Sequence, residues 1–291
     1  MSYLCVDIGA TNVLIGTVDN DLEEIKERST ESFFRNIEKE LETLRDKVDQ
    51  KEVFVAAAGP IDKNEGYIFP PNLPENRIQI LRPFEKFFEK VVLINDCNAA
   101  ALGEYTYGRT SAENLLYLTL STGIGAGVIA DGSLIQGATN NFAEVGHMKI
   151  ADEGECGCGG TGHWEALCSG KNLPRLAERE VGRRFDSARA FFEEYKKGDE
   201  ELKPVVEKVI DYNVTAISNL INLYDPAHIS IGGSMGLNQF DLLVDRGRIK
   251  EKVIHKMPTI ERSSLGKKVV LQGLKAISEK EKRREGDYRD F

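Results

Sequence analysis

An α/β protein of two lobes, each built on a mixed sheet, is the architecture this sequence predicts. Three observations carry the prediction. Strand-like and helix-like segments alternate along the whole chain. A strand, glycine turn, strand unit occurs twice, around "DIGATN" and "STGIGAG". The length of 291 residues suits two domains of about 100–200 residues each. The polar stretch "GRTSAEN" is the expected boundary, dividing the chain into residues 1–110 and 111–291, with the last helix a candidate to return to the first lobe.

The elements follow in order. Tyr3–Val6 and Val13–Val18 read as two β-runs joined by a polar turn at Gly9. Phe33, Phe34, Ile37, Leu41, Leu44 and Val48 recur at helical spacing in a single segment. "EVFVAAAGPID" is a strand ending at Gly59-Pro60, and Val91–Ile94 is a second buried strand. A turn then leads into a helix of small residues that runs to about Tyr107. "NLLYLTLSTGIGAGVIADGSLIQG" gives two strands about a glycine turn. From Gly170 to Tyr224 the spacing is helical, and Ile229–Ile231 is a short strand that runs into Gly232-Gly233.

Composition removes several functions. The chain is 41% hydrophobic, 29% charged and carries a net charge of −9. Nucleic-acid binding draws on a concentrated basic face, and the basic clusters here are short or mixed with acids. No apolar run is long enough to span a bilayer, so no membrane partner is expected. "MSYLCVDIGATN" lacks the basic start and apolar core of a signal peptide, which points to a cytoplasmic protein. Of the five cysteines, Cys5, Cys97 and Cys168 sit in apolar or helix-like surroundings and read as small buried hydrophobes. Cys156 and Cys158 read as ligands in a reducing compartment.

Five groups of residues can carry chemistry. In "DIGATN" a hairpin turn offers backbone amides, Gly9 admits a close ligand, and Thr11 and Asn12 add donors. Asp7 would meet phosphate through Mg²⁺ or water, and a plain β-turn is the alternative. "STGIGAG", with Thr122, Gly123 and Gly125, is a second such turn. No helix follows it, so it is no dinucleotide fingerprint, but two glycine hairpins can hold the ends of one polyphosphate. Gly232 and Gly233 end a strand where a flat ring can lie against backbone. Asn95 and Asp96 stand at a strand exit, Asp96 suited to act as general base and Asn95 to orient a hydroxyl, with a helix cap from Asp96 or Asn98 as the alternative. Finally His147, Cys156, Cys158 and His163 have the spacing H-x8-C-x-C-x4-H. Two thiolates and two imidazoles suit a closed, structural Zn²⁺ site, and a metal-free glycine loop is the alternative.

Taken together, "DIGATN", "LINDCNAAALGE", "LTLSTGIGAG", "AEVGH", "CGCGGTGHWEALCSG" and "DPAHISIGG" resemble the ROK family of sugar kinases, repressors and open reading frames. They stand in that family's order over residues 3 to 235. The resemblance implies a two-lobed actin-like ATPase fold, ribonuclease H-like, with mixed sheets and an interlobe cleft where ATP and sugar meet. It makes Asp7, Gly9 and Thr11 the first phosphate element, Thr122, Gly123 and Gly125 the second, and Gly232 and Gly233 the adenosine contact. Asp96 matches the catalytic base and Asn95 its sugar-binding partner. Glu144, His147 and Glu165 match residues that hold sugar hydroxyls, with Gly59 and Asn72 as further sugar contacts. One ring nitrogen of His147 would bind zinc while the other addresses the sugar.

The reaction implied is transfer of the γ-phosphoryl group of ATP, with Mg²⁺, to the 6-hydroxyl of a hexose, glucose first. N-acetylmannosamine, N-acetylglucosamine and fructose are the alternative substrates, and a homodimer or homotetramer is the implied assembly. Three departures stand out: His163 replaces the family's third cysteine, "NNFA" stands where glycines are common, and the C-terminus lacks the usual small-residue ending. A sugar-responsive repressor needs a DNA-binding segment ahead of Asp7, and only six residues stand there. A sugar sensor without catalysis is opposed by an intact Asp96 and two intact turns.

Overall fold

The computed structural model describes residues 2–69 and 77–286. β1 (Tyr3–Ile8) and β2 (Asn12–Val18) form the expected hairpin, with β1 running two residues further than its apolar core suggests. β3 (Leu22–Ser29) adds a third antiparallel strand. Its sequence, "LEEIKERS", carries the charges of an edge strand, so no apolar run announces it. The single helix expected after it is two, α1 (Thr30–Arg35) and α2 (Ile37–Arg45), because Asn36 leaves helical geometry at φ −126°. β4 (Glu52–Ala57) follows, then three short strands, β5 (Ile61–Asp62), β6 (Tyr67–Ile68) and β7 (Ile78–Gln79), that pair with one another. α3 (Leu81–Glu85), β8 (Lys90–Asn95) and α4 (Asp96–Tyr107) complete this stretch.

The first sheet has the order β3-β2-β1-β4-β8, antiparallel on one side of β1 and parallel on the other. Period-two alternation sorts its side chains onto two faces. Leu4, Val6 and Ile8 of β1 join Phe33, Leu41, Leu44 and Phe84 in one cluster, under α1 to α3. Tyr3 and Cys5 join Phe54, Ala99, Leu271 and Leu274 in the other.

The chain continues through β9 (Leu115–Leu120), β10 (Ile124–Ala130) and β11 (Ser133–Leu134). α5 (Trp164–Cys168), α6 (Leu173–Val181), α7 (Ala188–Lys196) and the long α8 (Lys203–Tyr224) come next. β12 (His228–Gly232), α9 (Gly233–Asn238), α10 (Phe240–Leu243), α11 (Arg246–Lys250), β13 (Thr259–Arg262) and α12 (Val269–Gly286) finish it. The second sheet, β11-β10-β9-β12-β13, repeats the order of the first. The α/β class with mixed sheets is therefore what the chain adopts.

Two compact units result. The first takes residues up to Ser111, the stretch Gly127–Phe142 and the C-terminal segment from Lys267; the second takes Ala112–Ala126 and Ala143–Gly266. A single cut at 110/111 misses the stretch 127–142. Within the first unit α12 lies against α4 at two glycines. A β-carbon on Gly273 would stand 3.0 Å from Ala99 Cα and closer to the Ala99 carbonyl oxygen, and one on Gly103 would press on the Val269 carbonyl. Near the far end of α12, Tyr107 donates its hydroxyl to Glu279 at 2.7 Å. Within the second unit α8 is the buried spine, and its Asn213 accepts the indole N–H of Trp164 at 2.8 Å.

Candidate active site

In the first unit the "DIGATN" turn closes with Gly9 N–H donating to Asn12 O at 3.0 Å. The start of α1 braces it, Thr30 giving its hydroxyl to Gly9 O at 2.7 Å and its N–H to Thr11 O at 2.9 Å. Thr11 and Asn12 are exposed and Gly9 partly so, which leaves the tip of the turn open to a ligand. Asp7 sits behind it on β1. Burial first, then the charge of Asp96, pushes its carboxyl well above the usual carboxylate range. Asp96 opens α4 and is partly exposed, yet burial pushes its pKa up to about 6 against the hydrogen bond it accepts from Cys97 N–H at 2.8 Å. A carboxylate with that pKa is half-protonated near pH 6 and a competent base at neutral pH.

The cap of α4 is Asn95, where the sequence suggested Asp96 or Asn98. Its Oδ1 accepts from Cys97 N–H at 2.9 Å and Asn98 N–H at 3.2 Å. Its Nδ2 donates to Gly59 O at 3.2 Å, so two of the expected sugar contacts hold each other. Asn95 thus shares the Cys97 amide with Asp96 and alone takes that of Asn98. Asn72 lies outside the described residues. The departure "NNFA" has a structural role in this unit: Asn141 accepts Ile61 N–H at 2.7 Å and donates to Ile61 O at 3.3 Å, as a strand neighbour would. Asn140 and Ala143 hold left-handed φ of 62° and 65°, the conformation that makes glycine the easier choice there.

In the second unit His147, Cys156, Cys158 and His163 come together with their ligand atoms all within 4.8 Å. The Cys156 Sγ to His147 Nδ1 distance is 3.6 Å and the Cys158 Sγ to His163 Nδ1 distance 3.3 Å. Tetrahedral zinc with its usual bond lengths puts ligand atoms roughly 3.3–3.8 Å apart, a range that both of these pairs meet, and two thiols with two imidazoles are a donor set that suits the ion. The loop is a small knuckle, with Cys156 N–H donating to Gly160 O at 2.8 Å and Gly162 N–H to Gly154 O at 2.8 Å. Because Nδ1 of His147 faces the cysteine, Nε2 is the nitrogen left for another partner. Glu165, on α5 just beyond the knuckle, is 6% exposed and accepts Ile124 N–H at 2.9 Å. Glu144 is exposed beside the short turn that carries His147.

The "STGIG" turn carries Thr122, Gly123 and Gly125, all partly exposed, and closes with Ser121 N–H donating to Gly123 O at 2.9 Å. Gly232 and Gly233 meet β9 directly. A β-carbon on Gly232 would strike the Tyr117 hydroxyl, and one on Gly233, at φ 78°, would come within 2.6 Å of Thr119 Oγ1. Their glycine character is accounted for by that packing. Gly146, unremarked in the sequence, is pressed the same way between the Ile124 carbonyl and Glu165, and only its place in "AEVGH" hinted at it. No helix among the described residues is long and apolar enough to cross a membrane.

Comparison with known proteins gives the family. The model of the ROK family matches residues 3–277. A glucokinase from Aeropyrum pernix is 33% identical over 268 residues, covering 82% of this chain and 84% of that protein. A glucokinase from Pyrobaculum calidifontis is 32% identical over 247 residues, covering 83% and 82%. Among solved structures, a ROK family glucokinase from Streptomyces griseus in complex with glucose and AMPPNP superposes with a TM-score of 0.80 at 25% identity, covering 94% of this chain and 98% of that one.

Proposed function

This chain belongs to the ROK family, and we propose that it is an ATP-dependent sugar kinase that phosphorylates the 6-hydroxyl of a hexose, glucose first. The observation that carries the reading is Asp96: a carboxylate at the start of α4, where Asn95 is the helix cap, with burial raising its pKa to about 6. Its free oxygen takes the proton of the sugar hydroxyl as that oxygen attacks the γ-phosphorus in line. The bond from phosphorus to the β-γ bridging oxygen breaks, ADP leaves, and the proton remains on Asp96 until solvent removes it. Such transfers ask the protein mainly for position and charge neutralisation.

The remaining residues supply position. Asn95 and Gly59 orient the sugar beside Asp96, and Glu144, His147 and Glu165 hold its other hydroxyls. Asp7, Gly9, Thr11 and Asn12 form one phosphate element, Thr122, Gly123 and Gly125 the other, and Gly232 with Gly233 borders the adenosine. With the nucleotide would come Mg²⁺, held near Asp7 through water, which supplies charge neutralisation at the phosphates. Zinc on His147, Cys156, Cys158 and His163 would fix the ring of His147 and the knuckle that leads to Glu165. It has no part in the chemical step. The protein would act in the cytoplasm as a homo-oligomer.

A coupled ADP-release assay with ATP, Mg²⁺ and a panel of hexoses and N-acetylhexosamines tests the reading. Turnover on glucose that falls at least about a thousandfold in Asp96→Asn, with sugar binding retained, is the expected result. Undiminished turnover in that variant removes Asp96 from the mechanism, and turnover confined to an N-acetylhexosamine replaces glucose as the substrate.

A further inference from the structure

The tip of the second glycine turn is held from one side by α5 and the residues just after it. Ser121 O accepts Gly170 N–H at 2.7 Å and Thr122 O accepts Lys171 N–H at 3.2 Å. The third bond is of another kind: Ile124 N–H donates to the Glu165 carboxylate, at Oε2, 2.9 Å away. Both residues are nearly sealed from water, Glu165 at 6% exposure and Ile124 at 7%. A hydrogen bond shielded from water in this way is stronger than the same bond in solvent. Gly146 closes the same knot. A β-carbon there would lie 3.5 Å from Glu165 Cβ and would collide with the Ile124 carbonyl oxygen. The glycine turn, the short turn that carries His147 and α5 therefore meet at one point, with the Glu165 carboxyl group at its centre.

We propose that Glu165 is a positioning residue for the phosphate-holding turn as well as a sugar ligand, so that one carboxylate couples sugar binding to nucleotide binding. The proposal rests on the sugar-kinase reading given above. Oε2 is committed to Ile124 N–H, which leaves Oε1 for a sugar hydroxyl. A hydroxyl that donates to Oε1 restrains the rotation of the same carboxyl group that holds the amide. The turn is then more firmly set when sugar is present. By reciprocity the nucleotide improves sugar affinity by the same factor.

Nucleotide binding measured without any sugar separates this role from sugar contact. AMPPNP with Mg²⁺ is titrated calorimetrically into wild type, Glu165→Ala and Glu165→Gln, each checked for zinc content and circular dichroism. Glutamine keeps an oxygen acceptor for Ile124 and loses the charge; alanine loses both. The expected result is AMPPNP affinity at least tenfold weaker in Glu165→Ala and within threefold of wild type in Glu165→Gln, with sugar KM raised in both. A Glu165 that served sugar alone would leave AMPPNP affinity unchanged in both variants, and that result overturns the proposal. Wild type that binds no AMPPNP at all would instead bring down the kinase reading and the coupling with it. If Glu165→Ala does not fold, exchange of the Ile124 amide in wild type decides: saturating glucose is expected to slow it at least tenfold, and unaltered exchange overturns the coupling.

Discussion

Gly273→Ala tests the packing that seats Asp96. In the wild type the α12 backbone at Gly273 lies directly against the carbonyl of Ala99 in α4. An added β-carbon would stand 3.0 Å from Ala99 Cα and nearer still to its carbonyl carbon and oxygen. Carbon atoms rest at about 3.5–4.0 Å, so the helices must part by at least half an ångström. The atoms in the way are backbone, and no rotamer change relieves them. Overpacking of this kind costs about 1–3 kcal/mol, and a backbone clash falls at the upper end. At roughly 2–4 °C per kcal/mol, the melting midpoint should drop by about 5–10 °C. Because Asp96 is the first residue of α4, kcat should fall as well, while zinc content stays at the wild-type level. Differential scanning calorimetry and the coupled assay read both. Gly182→Ala, at a site with φ 69° and nothing within 4 Å, is the control for strain without collision. A Gly273→Ala protein that melts within a degree of wild type would refute the close approach and with it the claim that α12 holds α4 in place.

Three further outcomes follow from the same structure. Asp96 and Asp7 have folded-state pKa values raised by burial, so the native state holds protons that the unfolded chain has released, and stability falls as pH rises through the window from about 4 to 6 and beyond. Asp96→Asn should therefore melt above wild type at pH 7.5 and match it near pH 3.5, and wild-type kcat/KM should climb about tenfold per pH unit below pH 6 and level off above. One zinc per chain by atomic absorption is expected, absent in Cys158→Ser, with its removal lowering the melting midpoint by roughly 8 °C or more; a midpoint indifferent to chelation would remove the metal from the structural account. Asn213→Ala strips the buried Trp164 indole of its acceptor and leaves a void, and urea denaturation should show a loss of about 2–4 kcal/mol, where a loss below 1 would mean the indole finds another partner.

What the sequence disclosed follows from where the information sits. The clustering of His147, Cys156, Cys158 and His163 and the two glycine turns were legible because their residue types are chemically unusual and close together in the chain. β3 and β13 went unread because edge strands bury little and keep charged residues such as Glu23, Lys26 and Arg262. The cap of α4 was misassigned because Asn95, Asp96 and Asn98 are all good capping types, and only the fold decides which precedes the first turn. The break at Asn36 is a matter of one backbone dihedral inside an unbroken apolar rhythm. The Glu165 to Ile124 bond was out of reach altogether, since its donor is a backbone amide and any residue has one. The division into units was read as one cut because local composition marks linkers; the last helix was a candidate to return to the first unit, and the glycines that seat it only show their purpose beside Ala99 and Val269.

The contact between α4 and α12 has a symmetry of its own. Ala99 and Gly103 stand one helical turn apart, as do Val269 and Gly273, and in each helix the carbonyl comes first and the glycine second. Each glycine receives the other helix's carbonyl, so exchanging the two helices reproduces the same interface. Such self-complementarity is the mark of a two-fold axis between identical subunits. Here it lies inside one chain, between helices that each follow the last strand of a sheet with the same strand order. The first residues differ: α4 opens with the carboxylate of Asp96 and α12 with the apolar Val269. A repeated frame has thus been left symmetric where it packs and made unequal at the helix starts, and a lesion at Gly103 should weaken the protein in the same manner as one at Gly273.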